Sequence, residues 1–157
     1  MKRCKLLFLI SLLFVGILCA VHAQVQPTSS YEDGTYRGVY GEVDNQVTIE
    51  FTLKDNKVTR IAFRNLAYRG ISYLTTKDDT VEALKEQYTG LINYLIGKDI
   101  RVALKDLYKP GEIVKTTAVA KRGNPVRNVD AFSGATLRAG KIISAIRDAL
   151  NRGVYSY

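Results

Sequence analysis

The sequence predicts an α+β fold in which two main helices pack on a mostly antiparallel sheet. An alternating apolar pattern on both sides of a short turn predicts a β-hairpin early in the chain. Two later segments carry apolar residues three and four positions apart, which is the spacing of one helix face. The 157 residues, less an N-terminal targeting segment, are enough for one compact domain and too few for two.

The first 23 residues are predicted to be a signal peptide. A short basic end precedes an apolar run over residues 6–21, and Val21-His22-Ala23 has the small-x-small character of a cleavage site. Because the apolar run is close to the length that spans a bilayer, a retained membrane anchor is the alternative to cleavage. We therefore expect a protein exported to the periplasm or another extracytoplasmic space, either released or held at the membrane.

The mature chain is predicted to begin with a flexible leader, residues 24–32, followed by one domain over residues 33–157. The domain opens with a strand-like run after the turn at Asp33-Gly34, and Gly38 and Gly41 interrupt that run. A glycine inside a strand pattern indicates a bulge or the close approach of another group. We expect one of these two features in the first strand.

The predicted hairpin comes next. The apolar residues that alternate with polar ones in its first strand are Val47, Ile49, Phe51 and Leu53. Asp55-Asn56-Lys57 turns the chain, and residues 58–63 return. One face of the hairpin is expected to be buried, because alternate side chains of a strand share a face. Residues 65–73, which follow the hairpin, are predicted to be irregular.

The first main helix is predicted over residues 81–96. Asp79 or Thr80 is its expected cap, and Gly97 is its expected stop. The apolar residues that share one face of this helix are Val81, Leu84, Tyr88, Leu91, Ile92 and Leu95. This face is expected to pack on the sheet.

The connection between the two main helices is predicted to contain little helix. Alternation over residues 100–108 predicts a short strand or an irregular connection. Lys109-Pro110-Gly111 is typical of a turn, and residues 113–120 are predicted to form another strand.

The side chains that the mature domain lacks exclude several kinds of site. Both cysteines and the only histidine lie inside the predicted signal peptide. Zinc and iron–sulfur sites, a cysteine nucleophile and a Ser-His-Asp triad are therefore excluded, and any redox chemistry must come from a bound organic cofactor. Without the three basic residues of the signal peptide the formal net charge falls from +8 to +5, and this scattered mild excess does not indicate a nucleic-acid partner. We predict no metal site and no catalytic side chain.

The last main helix is predicted to begin near residues 133–136 and to run to Leu150, because apolar residues recur along it at helical spacing. At that start, Ser133-Gly134-Ala135-Thr136 offers two hydroxyls and a glycine where backbone N–H groups have no intrahelical partner. Such a start suits an anion, and a phosphate would be well placed there. The alternative is that Ser133 only caps the helix.

The string Asp130-x-x-Ser133-Gly134-Ala135-Thr136, followed by an Ala- and Ile-rich helix, resembles the attachment motif of the FMN-binding domain family. That family includes the extracytoplasmic flavin subunits of sodium-translocating quinone reductases and of Rnf electron-transfer complexes. The resemblance extends over residues 33–150. It implies that Thr136 carries FMN as a phosphoester, installed by a separate FAD-dependent flavin transferase. The other residues that it assigns to the cofactor-binding segment are Asp130, Ser133, Gly134, Ala135 and Leu137.

Three functions are compatible with this pattern. The first is an exported electron-transfer flavoprotein with covalent FMN, whose partners are the transferase during maturation and a redox donor and acceptor at the membrane. No residue stands out as a substrate acid or base, which favours an electron-transfer module over a complete enzyme. The alternatives are an exported binding or structural module without a cofactor and a reversible FMN binder. Tyr68 and Tyr73 could stack on a flavin ring or pack against the domain's own edge or core.

Overall fold

The computed structural model describes residues 30–114 and 128–156, and for residues 128–135 it describes the backbone. The predicted signal peptide, most of the leader and most of the strand predicted over residues 113–120 lie outside these ranges. The described residues form an antiparallel sheet of four strands with helices packed on it. The predicted α+β class is confirmed.

The sheet is a meander in which each strand pairs with the next one along the chain. The strands are β1 (Gly34–Tyr40), β2 (Val47–Lys54), β3 (Lys57–Tyr68) and β4 (Ile71–Ser72). At the predicted hairpin turn, Asp55 and Asn56 have φ angles of 50° and 62°. Two consecutive positive φ values are the geometry of a two-residue hairpin turn that matches the twist of the strands.

The segment over residues 65–73 is regular, so the prediction that it is irregular is wrong. β3 continues to Tyr68, and β4 pairs with it after a second tight turn at Arg69-Gly70, where the φ angles are 51° and 74°. The apolar pattern is interrupted here because side chains at the sheet edge are partly exposed. This extension of β3 places Tyr68 at one end of the sheet.

The helices are α1 (Asp79–Asn93), α2 (Ile100–Asp106), α3 (Pro110–Ile113) and α4 (Asn128–Arg152). The first main helix is confirmed, but it begins two residues and ends three residues earlier than predicted. The cap predicted at Asp79 or Thr80 is wrong: Asp78 Oδ1 accepts a hydrogen bond of 3.1 Å from the Val81 backbone N–H. The strand or irregular connection predicted over residues 100–108 is instead mostly helix α2, because the Asp99 carboxylate accepts a hydrogen bond of 2.9 Å from the Arg101 backbone N–H and caps it. The turn predicted at Lys109-Pro110-Gly111 contains the start of α3, with Pro110 as its first residue.

The core lies between the sheet and the helices, and α4 packs most closely on β1. Gly38 makes this packing possible: a Cβ atom at Gly38 would lie 2.0 Å from the Ala145 carbonyl oxygen and 2.4 Å from the Ala149 backbone nitrogen. The close approach expected at a glycine of the first strand is therefore present at Gly38. Along α4, Ala145 and Ala149 are fully buried against the strand.

The outer edge of β1 is covered by the C-terminal part of the chain. The Val39 backbone N–H donates to Asp148 Oδ2 at 2.8 Å, and the Tyr155 backbone N–H donates to the Thr35 carbonyl at 2.7 Å. The Arg37 guanidinium stacks over the Tyr155 ring at 4.1 Å from its centroid. These contacts protect an edge strand that would otherwise be open to pairing with another chain.

Candidate functional site

The helix that carries the predicted attachment motif begins earlier than the sequence predicts. α4 starts at Asn128, so Asp130 to Thr136 lies within its first turns and the predicted start near residues 133–136 is wrong. By spacing, Phe132 and Ala135 continue the apolar stripe that includes Ala139, which favours extension of the helix in this direction. A single glycine at position 134 opposes that extension by only about 1 kcal/mol.

This earlier start removes one argument for a phosphate at the motif. Only about the first four N–H groups of a helix lack intrahelical partners, and here they belong to the residues around Asn128. The backbone N–H groups of Ser133, Gly134, Ala135 and Thr136 lie beyond that first turn. The expected anion site at the helix start is therefore not formed by these four residues.

Thr136 lies on an exposed part of α4. Leu137, the next residue, is 68% exposed. Gly140 lies one helical turn after Thr136 and therefore shares its side of the helix. No described atom would lie within 4 Å of a Cβ placed on Gly140. The Thr136 side of α4 therefore lies at the surface of the part of the chain that the structure describes.

A cleft of about 310 Å³ lies next to this surface. Residues from β3, α1 and α4 line it, and we call it the tyrosine cleft. Its lining residues are Tyr68, Tyr73, Leu84, Tyr88, Leu137, Arg138 and Lys141. The volume is at the lower end of the range of about 300–1,000 Å³ that small-molecule sites occupy. Of the predicted site residues, Leu137 lines the cleft and Thr136 does not.

The relation of Thr136 to the cleft follows from helix geometry. Successive residues of an α-helix are rotated by about 100°, so side chains two positions apart point in nearly opposite directions. Thr136 and Arg138 therefore lie on different sides of α4, and Leu137 lies between them. Thr136 is thus connected to the cleft through the next residue in the chain, Leu137, which lines it.

Tyr73 and Tyr88 form an aromatic, uncharged part of the cleft wall. The Tyr88 ring packs edge-on against Phe63 at 5.9 Å and against Tyr73 at 6.3 Å between centroids. Burial raises the pKa of Tyr88 to about 12 and also raises the pKa of Tyr73. Both phenols are consequently neutral at physiological pH. Tyr73 is only 8% exposed and packs in the core, which is one of the two positions that the sequence left open for it.

Tyr68 forms the open side of the cleft. It is 42% exposed, and two cations flank its ring: Lys141 Nζ lies 5.1 Å from the centroid, and Arg69 Cζ lies 5.3 Å from it. These distances are within the range of cation–π attraction. The Tyr68 ring therefore has two cationic neighbours and still has surface available to a ligand.

Arg138 is the functional candidate that sequence reasoning missed. Arginine is seldom buried, yet the Nη1 atom of Arg138 is buried and has no hydrogen-bond partner among the described residues. Burial also lowers the pKa of Arg138 from its usual value. A signal was present in the sequence, because Arg138 precedes the buried residues Ile142 and Ala145 at spacings of four and seven.

A second cleft, of about 180 Å³, lies between α2 and the C-terminal half of α4. It is lined by Tyr31, Ile100, Arg101, Leu104, Lys105, Tyr108, Arg147 and Leu150. Its best-covered arginine, Arg101, is paired with the Asp99 carboxylate through an Nε–Oδ1 hydrogen bond of 2.9 Å. This cleft is smaller, and its arginine has a carboxylate partner within the protein, so the tyrosine cleft is the stronger candidate.

The buried Nη1 atom of Arg138, which has no hydrogen-bond partner among the described residues, is expected to destabilise the fold. Replacing Arg138 with methionine should raise the free energy of unfolding by about 1 kcal/mol, because a buried donor without a partner destabilises a fold by about that amount or more. Urea unfolding measures the change. The control is Arg147→Met, at an exposed residue of the same helix, which should change stability by less than about 0.5 kcal/mol. A clear loss of stability in Arg138→Met would contradict this account of the cleft.

Among the described residues, no group of three or more His, Cys, Asp and Glu side chains could hold a metal ion. No helix within residues 30–114 and 128–156 has the length and apolar character needed to cross a membrane. No protein-family model, curated protein or solved structure matches the chain.

Proposed function

We propose that this chain is an exported flavoprotein that carries FMN through a phosphoester on Thr136 and transfers electrons outside the cytoplasm. One observation carries the proposal beyond the motif resemblance: the exposed Thr136 directly precedes Leu137 and Arg138, which line an aromatic, positively charged cleft. In the proposal, the redox donor and acceptor lie at the membrane, to which the signal segment directs the chain.

The side chains of the tyrosine cleft fit the chemical groups of a flavin. Tyr68 offers an exposed aromatic face for a planar ring system. Arg138 Nη1 is a buried donor that lacks a partner among the described residues, while the ring edge of a flavin carries carbonyl oxygens that accept hydrogen bonds. No carboxylate is among the described residues that line the cleft. The bound cofactor supplies the redox chemistry, and the protein supplies its position and electrostatic surroundings.

Attachment requires a threonine hydroxyl that an enzyme can reach. The transferase would form a bond between Thr136 Oγ1 and the phosphorus of the FMN half of FAD while the pyrophosphate bond of FAD breaks. AMP leaves, and the hydroxyl proton is released. The protein consequently gains the mass of FMN less one water. A covalent link suits an exported protein, because dissociated FMN outside the cytoplasm would be diluted and lost.

The other motif residues are assigned to recognition by the transferase. Because Ser133, Gly134 and Ala135 lie beyond the first turn of α4, they do not offer the cluster of unpaired N–H groups that a phosphate site at a helix start would use. We assign these three residues and Asp130 to the segment that the transferase recognises when it modifies Thr136.

Acid precipitation tests the covalent link. The protein is co-expressed with a flavin transferase, since a host without this enzyme would yield unmodified protein. Yellow colour and flavin fluorescence are expected to remain with the precipitated protein. Flavin in the supernatant would instead identify a reversible FMN binder, and a colourless sample would identify a module without a cofactor.

A further inference from the structure

We propose that Arg138 positions the flavin ring in the tyrosine cleft by donating hydrogen bonds from its guanidinium to the carbonyl edge of the isoalloxazine. This inference rests on the proposed function, and it assigns the ring to a place in the fold that the attachment motif does not specify. Arg138 is a positioning residue in this account, because it acts on the orientation of the cofactor.

The hydrogen bonding of Arg138 differs from that of the other well-covered arginines. Arg37, with 26% of its side chain exposed, pairs with the Glu50 carboxylate at 2.6 Å. Arg101, with 19% of its side chain exposed, pairs with Asp99. Arg138 has a buried nitrogen without a hydrogen-bond partner among the described residues. A guanidinium that stays protonated and has a spare buried donor is suited to an acceptor supplied by a ligand.

The surroundings of Arg138 select the kind of ligand. Arg138 lines the cleft together with Tyr73 and Tyr88, and burial raises the pKa of both phenols, so both are neutral at physiological pH. Tyr68 adds an aromatic face at the open side, and Lys141 adds a second positive charge. A flat aromatic molecule with acceptor atoms along one edge can pack against the aromatic walls and accept hydrogen bonds from the guanidinium.

The proximity of Thr136 means that the cleft needs only weak affinity for the ring. A short flexible tether gives its ligand an effective concentration of the order of millimolar at a neighbouring site. A ring attached through Thr136 would therefore occupy the cleft even if the free ring bound only at high micromolar concentration. The cleft is therefore also expected to bind a flavin that has no phosphate and no tether.

Riboflavin binding by the unmodified protein tests the inference. Protein expressed without the transferase is titrated into a fixed, dilute riboflavin solution, and the polarisation of flavin fluorescence reports binding. Arg138→Gln and Arg138→Met should each weaken binding about tenfold, since each removes the charged donor. Arg147→Gln, in the other cleft, and Ser144→Ala, at an exposed residue of α4, should stay within twofold of the wild-type protein.

The outcomes separate this inference from the proposed function. Wild-type affinity in either Arg138 variant, with unfolding curves that show a folded protein, would overturn the role of Arg138 and leave attachment at Thr136 untouched. A wild-type protein that carries covalent FMN when modified but shows no riboflavin binding up to millimolar protein would also overturn it. Conversely, Arg138-dependent riboflavin binding without any covalent adduct would support the cleft and contradict the phosphoester.

Discussion

Replacing Gly38 with alanine is expected to destabilise the domain by about 3 kcal/mol or more. The new Cβ would lie 2.0 Å from the Ala145 carbonyl oxygen and 2.7 Å from the Ala149 Cβ. These atoms belong to the backbone of α4 and to a side chain without rotamers, so the clash cannot be relieved by a side-chain rotation. Overpacking usually costs about 1–3 kcal/mol, and a clash with helix backbone should reach or exceed the upper end. The melting temperature should fall by about 10 °C or more.

The matched control for this prediction is Gly140→Ala. Gly140 lies in α4, the helix that packs against Gly38, and a Cβ at Gly140 would meet no described atom within 4 Å. Alanine has the higher helix propensity, so this variant should be more stable by about 0.5–1 kcal/mol. Thermal unfolding followed by circular dichroism measures both variants. A Gly38→Ala protein that unfolds within a few degrees of the wild type would mean that α4 does not pack on β1 as described.

Replacing Thr136 with alanine is expected to abolish flavin attachment completely. The phosphoester requires the threonine oxygen, and an alanine offers no atom to which the phosphate could be bonded. Because Thr136 is exposed, the substitution should change the free energy of unfolding by less than about 0.5 kcal/mol. Flavin fluorescence of the protein band in a denaturing gel, after co-expression with the transferase, measures the loss.

Ser144→Ala serves as the control for the threonine variant. Ser144 is another exposed hydroxyl residue of α4, two turns further along the helix. Its replacement should leave the flavin signal at the wild-type level. Equal signals from Thr136→Ala and the wild-type protein would place the attachment elsewhere or exclude it, and the proposed function would have to be abandoned.

Periodic patterns predicted the parts of the fold that have one buried face. The hairpin of β2 and β3 and the helix α1 are present as expected, because alternation and three-and-four spacing report which side chains face the core. At α2 the alternating pattern led to a wrong prediction of a short strand or an irregular connection. There, Val102 is 52% exposed while Ile100, Ala103 and Leu107 are buried, so the apparent alternation was a helical pattern.

The candidate site was only partly predictable for a different reason. Tyr68, Leu84 and Arg138 meet in one cleft although they are far apart in the chain, and no local pattern specifies which elements become neighbours. The burial of Arg138 depends on how α4 packs between α1 and the sheet edge. The start of α4 was misplaced because Ser133 resembles a cap, whereas the apolar stripe continues towards Asn128.

The mass of the denatured protein, isolated after co-expression with a flavin transferase, tests the central proposal most directly. We expect the main species to be heavier than the mature polypeptide by FMN less one water, with fragmentation placing the addition on Thr136. The unmodified mass, from cells in which the same transferase modifies a known acceptor, would contradict the proposal.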